Sequence, residues 1–265
     1  MIIRFLRIKG ELTELRSITP GIQLYTVREE VEQDYFGTLA KLAAMGYEQV
    51  EFFSYEGIPA DEMKQALDRL NLSAHSTIMD VDALKEHLQD HIDYALAMGF
   101  SYVATYARED YFADQASLDT LIHMLRAIAD ELKQYDLQLL YHPHQYEFEK
   151  QHNKITRIDL LLQGVGQDRM QLQLDTYWMK KAGADPAQLL RRYAGLVPIL
   201  HLKDMKPDGE FAEIGTGILD WMGIFQAAQE AGVRYYFVEQ DTSRNPLKSA
   251  QTSIHALRSM GIVKK

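Results

Sequence analysis

Ala97-Met98-Gly99-Phe100-Ser101-Tyr102-Val103-Ala104 repeats, with small changes, Ala44-Met45-Gly46-Tyr47-Glu48-Gln49-Val50-Glu51. The pattern returns as Glu230-Ala231-Gly232-Val233-Arg234-Tyr235-Tyr236-Phe237-Val238-Glu239. In each copy an amphipathic stretch of helical period stops at a glycine able to take the left-handed C′ conformation, and a β-branched and aromatic run follows. This is a helix-to-strand junction used again and again. Extended along the chain, it predicts strands near 21–25, 47–53, 71–77, 101–106, 137–142, 170–175, 198–203 and 235–240. Helices fall near 34–45, 59–70, 82–98, 117–135, 155–163, 185–194, 220–231 and 245–260. Asp185-Pro186 and Asn245-Pro246 supply an N-cap followed by proline at the first helical position.

Strict alternation of strand and helix favours a closed α/β barrel, a (β/α)8 TIM barrel, over a doubly wound sheet. An open sheet would want a glycine-rich phosphate loop after its first strand, and Gln23-Leu24-Tyr25-Thr26-Val27 is not one. The 265 residues match the roughly 250 that such a barrel needs, so one domain spans 1–265, with 1–18 an extension and 19–265 the barrel. The extension reads as an extra strand or a short helix closing the bottom of the barrel.

Four predicted strands end on a metal ligand or proton carrier: Leu139-Leu140-Tyr141-His142-Pro143-His144, Leu172-Gln173-Leu174-Asp175, Ile199-Leu200-His201-Leu202-Lys203-Asp204 and Tyr236-Phe237-Val238-Glu239-Gln240-Asp241. Ionisable residues inside apolar strands cost several kcal/mol unless partnered. At the carboxyl ends of successive strands they are what a barrel uses to build an active site. Asp175, His201 and Glu239 are nitrogen and oxygen donors suited to a divalent metal, with Lys203 in reach of a substrate. Taken singly, His142 and His201 could be satisfied core histidines and Asp175 the start of a turn. A lysine beside a cation in a cavity should have a lowered pKa, and the alternative is a salt bridge to Asp204 or Asp175. Lys206-Pro207-Asp208-Gly209-Glu210 reads as a lid or an ordinary loop. Gly215-Thr216-Gly217 reads as a turn or a phosphate cradle. Tyr106 and Trp178, at or just past strand ends, could form an apolar wall for a sugar.

With 46% hydrophobic residues the chain can bury a large core, and without cysteine it has neither disulfides nor thiolate-metal sites. No apolar run is long enough for a membrane span, and the first twenty residues do not read as a signal peptide. A cytoplasmic enzyme is the expectation. A formal net charge of −10 argues against a partner bound through its phosphate backbone, so no nucleic acid and no membrane partner is expected. The sequence leaves oligomeric state open, a homodimer being common.

Several stretches carry a family likeness: YHPHQYEFE (141–149), LDTYWMKKAGADP (174–186), LHLKD (200–204), EIGTGILDW (213–221) and FVEQD (237–241). From about Gly21 to its end the chain resembles the xylose isomerase-like superfamily, in particular its sugar phosphate isomerase/epimerase family. The resemblance implies one divalent metal at the carboxyl ends of the strands, manganese first, with magnesium, zinc or cobalt as alternatives. It makes Asp175, His201 and Glu239 three of the ligands. Where many epimerases carry a metal-binding glutamate on the fifth strand, this chain has His142, which becomes the fourth ligand. His144 and Glu147 could take over part of the missing carboxylate's work and contact substrate. His75 matches a substrate-binding histidine on the third strand, and Glu51 a polar position facing the cavity, so both are expected to contact substrate.

The first functional reading is a metal-dependent sugar or sugar phosphate isomerase/epimerase. It abstracts an α-proton through a metal-stabilised enediolate, with Glu239 moving the proton and His142, His144 or Lys203 returning it. The second is a lyase or dehydratase on a keto-sugar, keto-glycoside or keto-cyclitol, which needs a general acid for the leaving oxygen. A DNA-repair phosphodiesterase resembling endonuclease IV is set back by the acidic balance. A non-catalytic sugar-binding barrel is the fourth.

Overall fold

The computed structural model describes residues 5–8, 11–14, 17–55, 57–149 and 155–263. Eight parallel strands close on themselves: β1 (Pro20–Gln23), β2 (Gln49–Phe52), β3 (Ser73–Asp80), β4 (Tyr102–Tyr106), β5 (Gln138–Tyr141), β6 (Met170–Asp175), β7 (Ile199–Leu202) and β8 (Tyr235–Val238). Strand β8 pairs with β1 to shut the barrel, Phe237 lying opposite Gly21. The principal helices are α1 (Tyr35–Met45), α2 (Ala60–Leu70), α3 (Leu88–Met98), α4 (Gln115–Lys133), α5 (Arg157–Val165), α6 (Pro186–Arg192), α7 (Trp221–Ala231) and α8 (Pro246–Ser259).

The repeated junction behaves as its sequence dictates. Gly46, Gly99 and Gly232 close α1, α3 and α7 at φ 97°, 75° and 84°, a region where a Cβ would be strained. At the other ends, Asp34, Asp185 and Asn245 accept the first free amides of α1, α6 and α8.

Period-two alternation sorts the side chains into two layers. Leu139, Tyr141, Leu172, Leu174, Leu200, Leu202, Tyr236 and Val238 face outward into the main core under the helices. Ile78, Tyr102, Ala104, Leu140, Ile199 and Phe237 fill the inside of the barrel. Polar residues of the same inward parity take over toward the carboxyl ends.

Three differences from the expected elements matter. The first strand is cut short at Gln23 by a 3-10 turn over Leu24–Val27, because the Gln23 side chain accepts the Tyr25 amide. The helix expected over 82–98 is two, Val81–Glu86 and α3, separated at His87. Strand β3 is longer than expected and bulged: Val50 pairs with Ala74 but Phe52 with Thr77, so an extra residue sits between. Within the expected extension, Phe5–Ile8 and Glu11–Glu14 form an antiparallel pair, and the rest of that expectation up to residue 16 lies outside the described residues. Ile18 then bridges Val263 below β1. No helix among the described residues is long and apolar enough to cross a membrane.

Candidate metal centre

Four side chains from consecutive strands meet at the carboxyl mouth. His142 follows β5, its amide still bonded to the Thr105 carbonyl; Asp175 ends β6; His201 lies in β7; and Glu239 follows β8, its amide on the Leu202 carbonyl. One donor atom from each lies within 4.8 Å of all the others. Asp175 Oδ1 caps the helix Thr176–Lys181 through the Tyr177 and Trp178 amides at 2.7 and 3.2 Å. Its Oδ2 is buried without a hydrogen bond, although the Lys203 ammonium stands 3.0 Å away in ion-pair contact. A buried carboxylate oxygen without a hydrogen bond, beside two imidazoles and a second carboxylate, is a donor set that fits a divalent cation.

A carboxylate beneath this quartet sets the orientation of both histidines. Glu51 is fully buried and accepts from Gln23 Nε2 at 2.8 Å, Ser76 Oγ at 2.5 Å, Gln173 Nε2 at 2.6 Å and His201 Nε2 at 2.6 Å. Giving its Nε2–H to Glu51 leaves His201 Nδ1 to face the mouth, where it lies 2.9 Å from Glu239 Oε2. The Gln173 amide, turned with its NH2 toward Glu51, presents Oε1 to His142 Nδ1 at 3.1 Å. That oxygen can only accept, so His142 carries its proton on Nδ1 and keeps the Nε2 lone pair for a cation. Glu51, expected to contact substrate, is therefore engaged by four protein donors below the site. Gln23, Ser76 and Gln173 were missed, although Gln173 lies two residues before Asp175 and so shares its face.

The charges follow from these neighbours. Burial, then His201 and His144, hold the His142 pKa well below its ordinary value, so it stays neutral. Burial opposes a charge on His201, but Glu51 and Glu239 outweigh it and raise the pKa to about 10, so a cation binding at Nδ1 would displace the proton shared with Glu239. Burial pushes Asp175 up to about 6 against the pull of Lys203. Burial also works against the Glu239 carboxylate, yet Lys203 and His201 hold its pKa well below the ordinary range.

Lys203 points into the site and is 1% exposed. Its Nζ is 2.6 Å from Asp241 Oδ1, 2.9 Å from Glu239 Oε2 and 3.0 Å from Asp175 Oδ2. The expected fall in its pKa is reversed: burial does disfavour the ammonium, but Asp175, Glu239 and Asp241 overcome it and raise the pKa well above the ordinary value. The expected partner Asp204 is occupied elsewhere. It accepts from the amides of Met205, Gly215, Gly217 and Leu219 and from Trp221 Nε1. This joins LHLKD to EIGTGILDW physically, and it turns the Gly215 and Gly217 amides inward onto a carboxylate instead of toward a phosphate.

Other expected contacts resolve differently. His144 stands at the mouth, 5.3 Å from the His142 ring, 5.6 Å from Tyr106 and 5.2 Å from Trp178, between ring centroids. Burial and Lys203 lower its pKa to about 4. His144, Tyr106 and Trp178 thus make an aromatic wall at the opening. Glu147 does not reach the cavity. It accepts from Tyr141 Oη at 2.8 Å and the His144 amide at 2.9 Å, in the outer layer behind the loop. His75 is also misplaced as a site residue. Because β3 runs on to Asp80, His75 lies toward the amino end, its ring 4.4 Å from Tyr235 at the start of β8. The bulge turns Ser76 inward in its place. The loop 206–210 is a tied hairpin: Asp204–Met205 pairs with Phe211–Ala212, and Tyr177 Oη and Lys181 Nζ both hold the Gly209 carbonyl.

A closed parallel barrel with a His/Asp/His/Glu cluster at its carboxyl mouth defines a class of enzyme-like barrels with a candidate metal centre. Residues 39–260 match the profile of the xylose isomerase-like TIM barrel family, and the chain belongs to it. It is 25% identical over 148 residues to inosose dehydratase of Lacticaseibacillus casei, which is 48% of this chain and 49% of that protein. The chain thus spans about half the length of that relative. Inosose dehydratase of Clostridium botulinum matches at 21% identity over 264 residues, 83% of this chain and 87% of that one. A sugar phosphate isomerase/epimerase structure from Parabacteroides distasonis superposes with a TM-score of 0.79 at 20% identity, covering 98% of this chain and all of that one.

Proposed function

We propose that this protein is a metal-dependent lyase that takes an α-proton from a polyhydroxylated keto-sugar or keto-cyclitol and expels the β-hydroxyl as water. His142, Asp175, His201 and Glu239 would hold the cation. When bound, a divalent ion supplies Lewis-acid polarisation of the carbonyl and so makes the α-proton more acidic. The chain's own groups do the rest. Glu239 Oε2 is engaged by His201 and Lys203, while its second oxygen takes no hydrogen bond among the described residues and is the one placed to accept the proton. The aromatic wall of Tyr106, His144 and Trp178 packs the substrate's apolar face and limits water. Lys203 stabilises charge growing on the departing oxygen and passes it a proton as the C–O bond breaks. The carboxyl proton gained by Glu239 and the amine left on Lys203 then reset through solvent.

The observation that carries this reading is the asymmetry of the site. A buried ammonium stands beside the one carboxylate base, and a neutral imidazole, His142, occupies the place where the resemblance calls for a second carboxylate. The name inosose dehydratase of the curated relatives points the same way. An isomerase or epimerase remains the second reading, favoured by the neutral His144 at the mouth, which could return a proton to the substrate.

Manganese-loaded protein incubated with keto-sugars and keto-cyclitols in D2O, followed by NMR and mass spectrometry, separates the two. The lyase reading expects loss of water, and in Lys203→Met continued α-deuterium exchange without elimination. Deuterium incorporation with mass otherwise conserved and an inverted or isomerised product would overturn it in favour of the second reading.

A further inference from the structure

Two of the carboxylates that would hold a cation, Asp175 and Glu239, are also the ones that Lys203 touches. Its ammonium stands 3.0 Å from Asp175 Oδ2 and 2.9 Å from Glu239 Oε2. Both contacts are ion pairs without hydrogen-bond alignment. Two positive groups cannot both draw on the same two carboxylates at full strength, because like charges at such separations repel strongly in a buried site. The third carboxylate differs in kind. Asp241 Oδ1 accepts an aligned hydrogen bond from Lys203 Nζ at 2.6 Å, the shortest of the three contacts. Asp241 lies outside the His142, Asp175, His201 and Glu239 cluster.

The surroundings hold Asp241 and Lys203 in place. Arg28 Nη1 donates to the Asp241 carbonyl at 2.8 Å and to the Tyr25 carbonyl at 3.0 Å, and its guanidinium lies 4.2 Å from the Tyr25 ring centroid. Thr176 Oγ1 accepts the Lys203 amide and donates to the Lys203 carbonyl, which fixes the root of the lysine. Trp178 and Phe211 flank the ammonium at 5.4 and 5.7 Å from their ring centroids and restrict where it can go.

We infer that Asp241 is a positioning residue that draws the Lys203 ammonium away from Asp175 and Glu239, so that cation and ammonium occupy the site together. This rests on the metal-centre reading above. Without Asp241, Lys203 competes with the metal for two of its ligands. With Asp241, the ammonium keeps its charge and its place beside the substrate while Asp175 and Glu239 remain available. Neither a general stabilising role nor simple attraction of the metal by an acidic residue predicts that the effect of Asp241 depends on Lys203.

A double-mutant cycle on manganese affinity, read by electron paramagnetic resonance of free Mn, tests this without recourse to turnover. Asp241→Asn is expected to weaken Mn binding at least tenfold when Lys203 is present, and no more than about threefold in the Lys203→Met background. Lys203→Met alone is expected to tighten binding, and Asp241→Glu to restore most of the affinity. Unfolding temperatures of each variant check that the barrel is intact. Equal loss in both backgrounds would overturn the inference and leave Asp241 as an ordinary acidic neighbour. If the unaltered protein binds no Mn, Zn, Mg or Co, the metal-centre reading itself fails and takes the inference with it.

Discussion

Glu51 is the residue on which the geometry of the candidate centre turns. It was legible only as an inward-facing polar position at the end of a strand, which suggested substrate contact. Instead, four donors converge on it, and through His201 and Gln173 it decides which nitrogen each histidine offers to the mouth. Glutamine at this position keeps the volume but cannot accept all four, and one of its own N–H groups would oppose a donor. Glu51→Gln is therefore expected to lower divalent-metal affinity by about 10–100-fold, the usual cost of losing an outer-sphere partner. Isothermal titration with manganese measures it. Unchanged affinity with a raised KM would instead return Glu51 to the substrate-binding role. Glu147 gives a second residue-scale expectation. Burial raises its carboxyl pKa from an ordinary 4.5 to about 8, with the Tyr141 hydroxyl and His144 amide pulling the other way. The folded chain then holds a proton that the unfolded chain releases. Its stabilising contribution is complete below about pH 4.5 and disappears as pH rises through about 8. Glu147→Gln stays neutral throughout, so its unfolding temperature relative to the unaltered protein should rise steadily across that window. A difference that does not change with pH would mean that Glu147 is ionised in the fold.

Strand β1 and its neighbour show how single elements set the barrel. A Cβ on Gly21 would stand 2.5 Å from the Phe237 ring and 2.8 Å from the Tyr236 carbonyl oxygen. Backbone as well as side chain is in the way, so the closing β8–β1 seam would have to open slightly. Gly21→Ala is expected to cost about 1–3 kcal/mol, the range for overpacking a close contact. In a domain of this size that lowers the unfolding temperature by roughly 2–4 °C per kcal/mol, read by calorimetry. An unchanged transition would show that the seam has slack. The elements themselves were largely legible, since the Gly46, Gly99 and Gly232 junctions fix where helices stop and strands begin. The carboxyl ends of β5 to β8 were legible too, because ionisable residues there interrupt apolar runs. What spacing could not reveal was the bulge in β3, where one extra residue displaced His75 and brought Ser76 inward. Nor could it reveal that Asp175, Glu239 and Asp241 reach Lys203 together, since they come from two different strands and their separation is set by barrel closure. The expected direction of the Lys203 pKa failed for that reason. Asp204 is a similar case: five donors from residues up to 17 positions away converge on one carboxylate, and only the fold brings them there.

At the scale of the whole molecule, the barrel divides its labour along its axis. Its amino end and middle are packed with Ile78, Tyr102, Leu140, Ile199 and Phe237, and its carboxyl end carries buried polar and charged groups that are costly unless partnered. The concentration of acid there, within a chain of formal net charge −10, suits a cation and a neutral polyhydroxylated ligand better than a phosphate backbone. This end is proposed to hold one divalent ion between His142, Asp175, His201 and Glu239. Crystals grown with zinc or manganese and measured at the metal's absorption edge test it directly. A single anomalous peak is expected at roughly 2.0–2.3 Å from one donor atom of each of the four residues, with Lys203 turned to Asp241. A peak ligated by Asp241 in place of Asp175 or Glu239, or a site where the ammonium stays between those two carboxylates and no metal enters at saturating concentration, would contradict it.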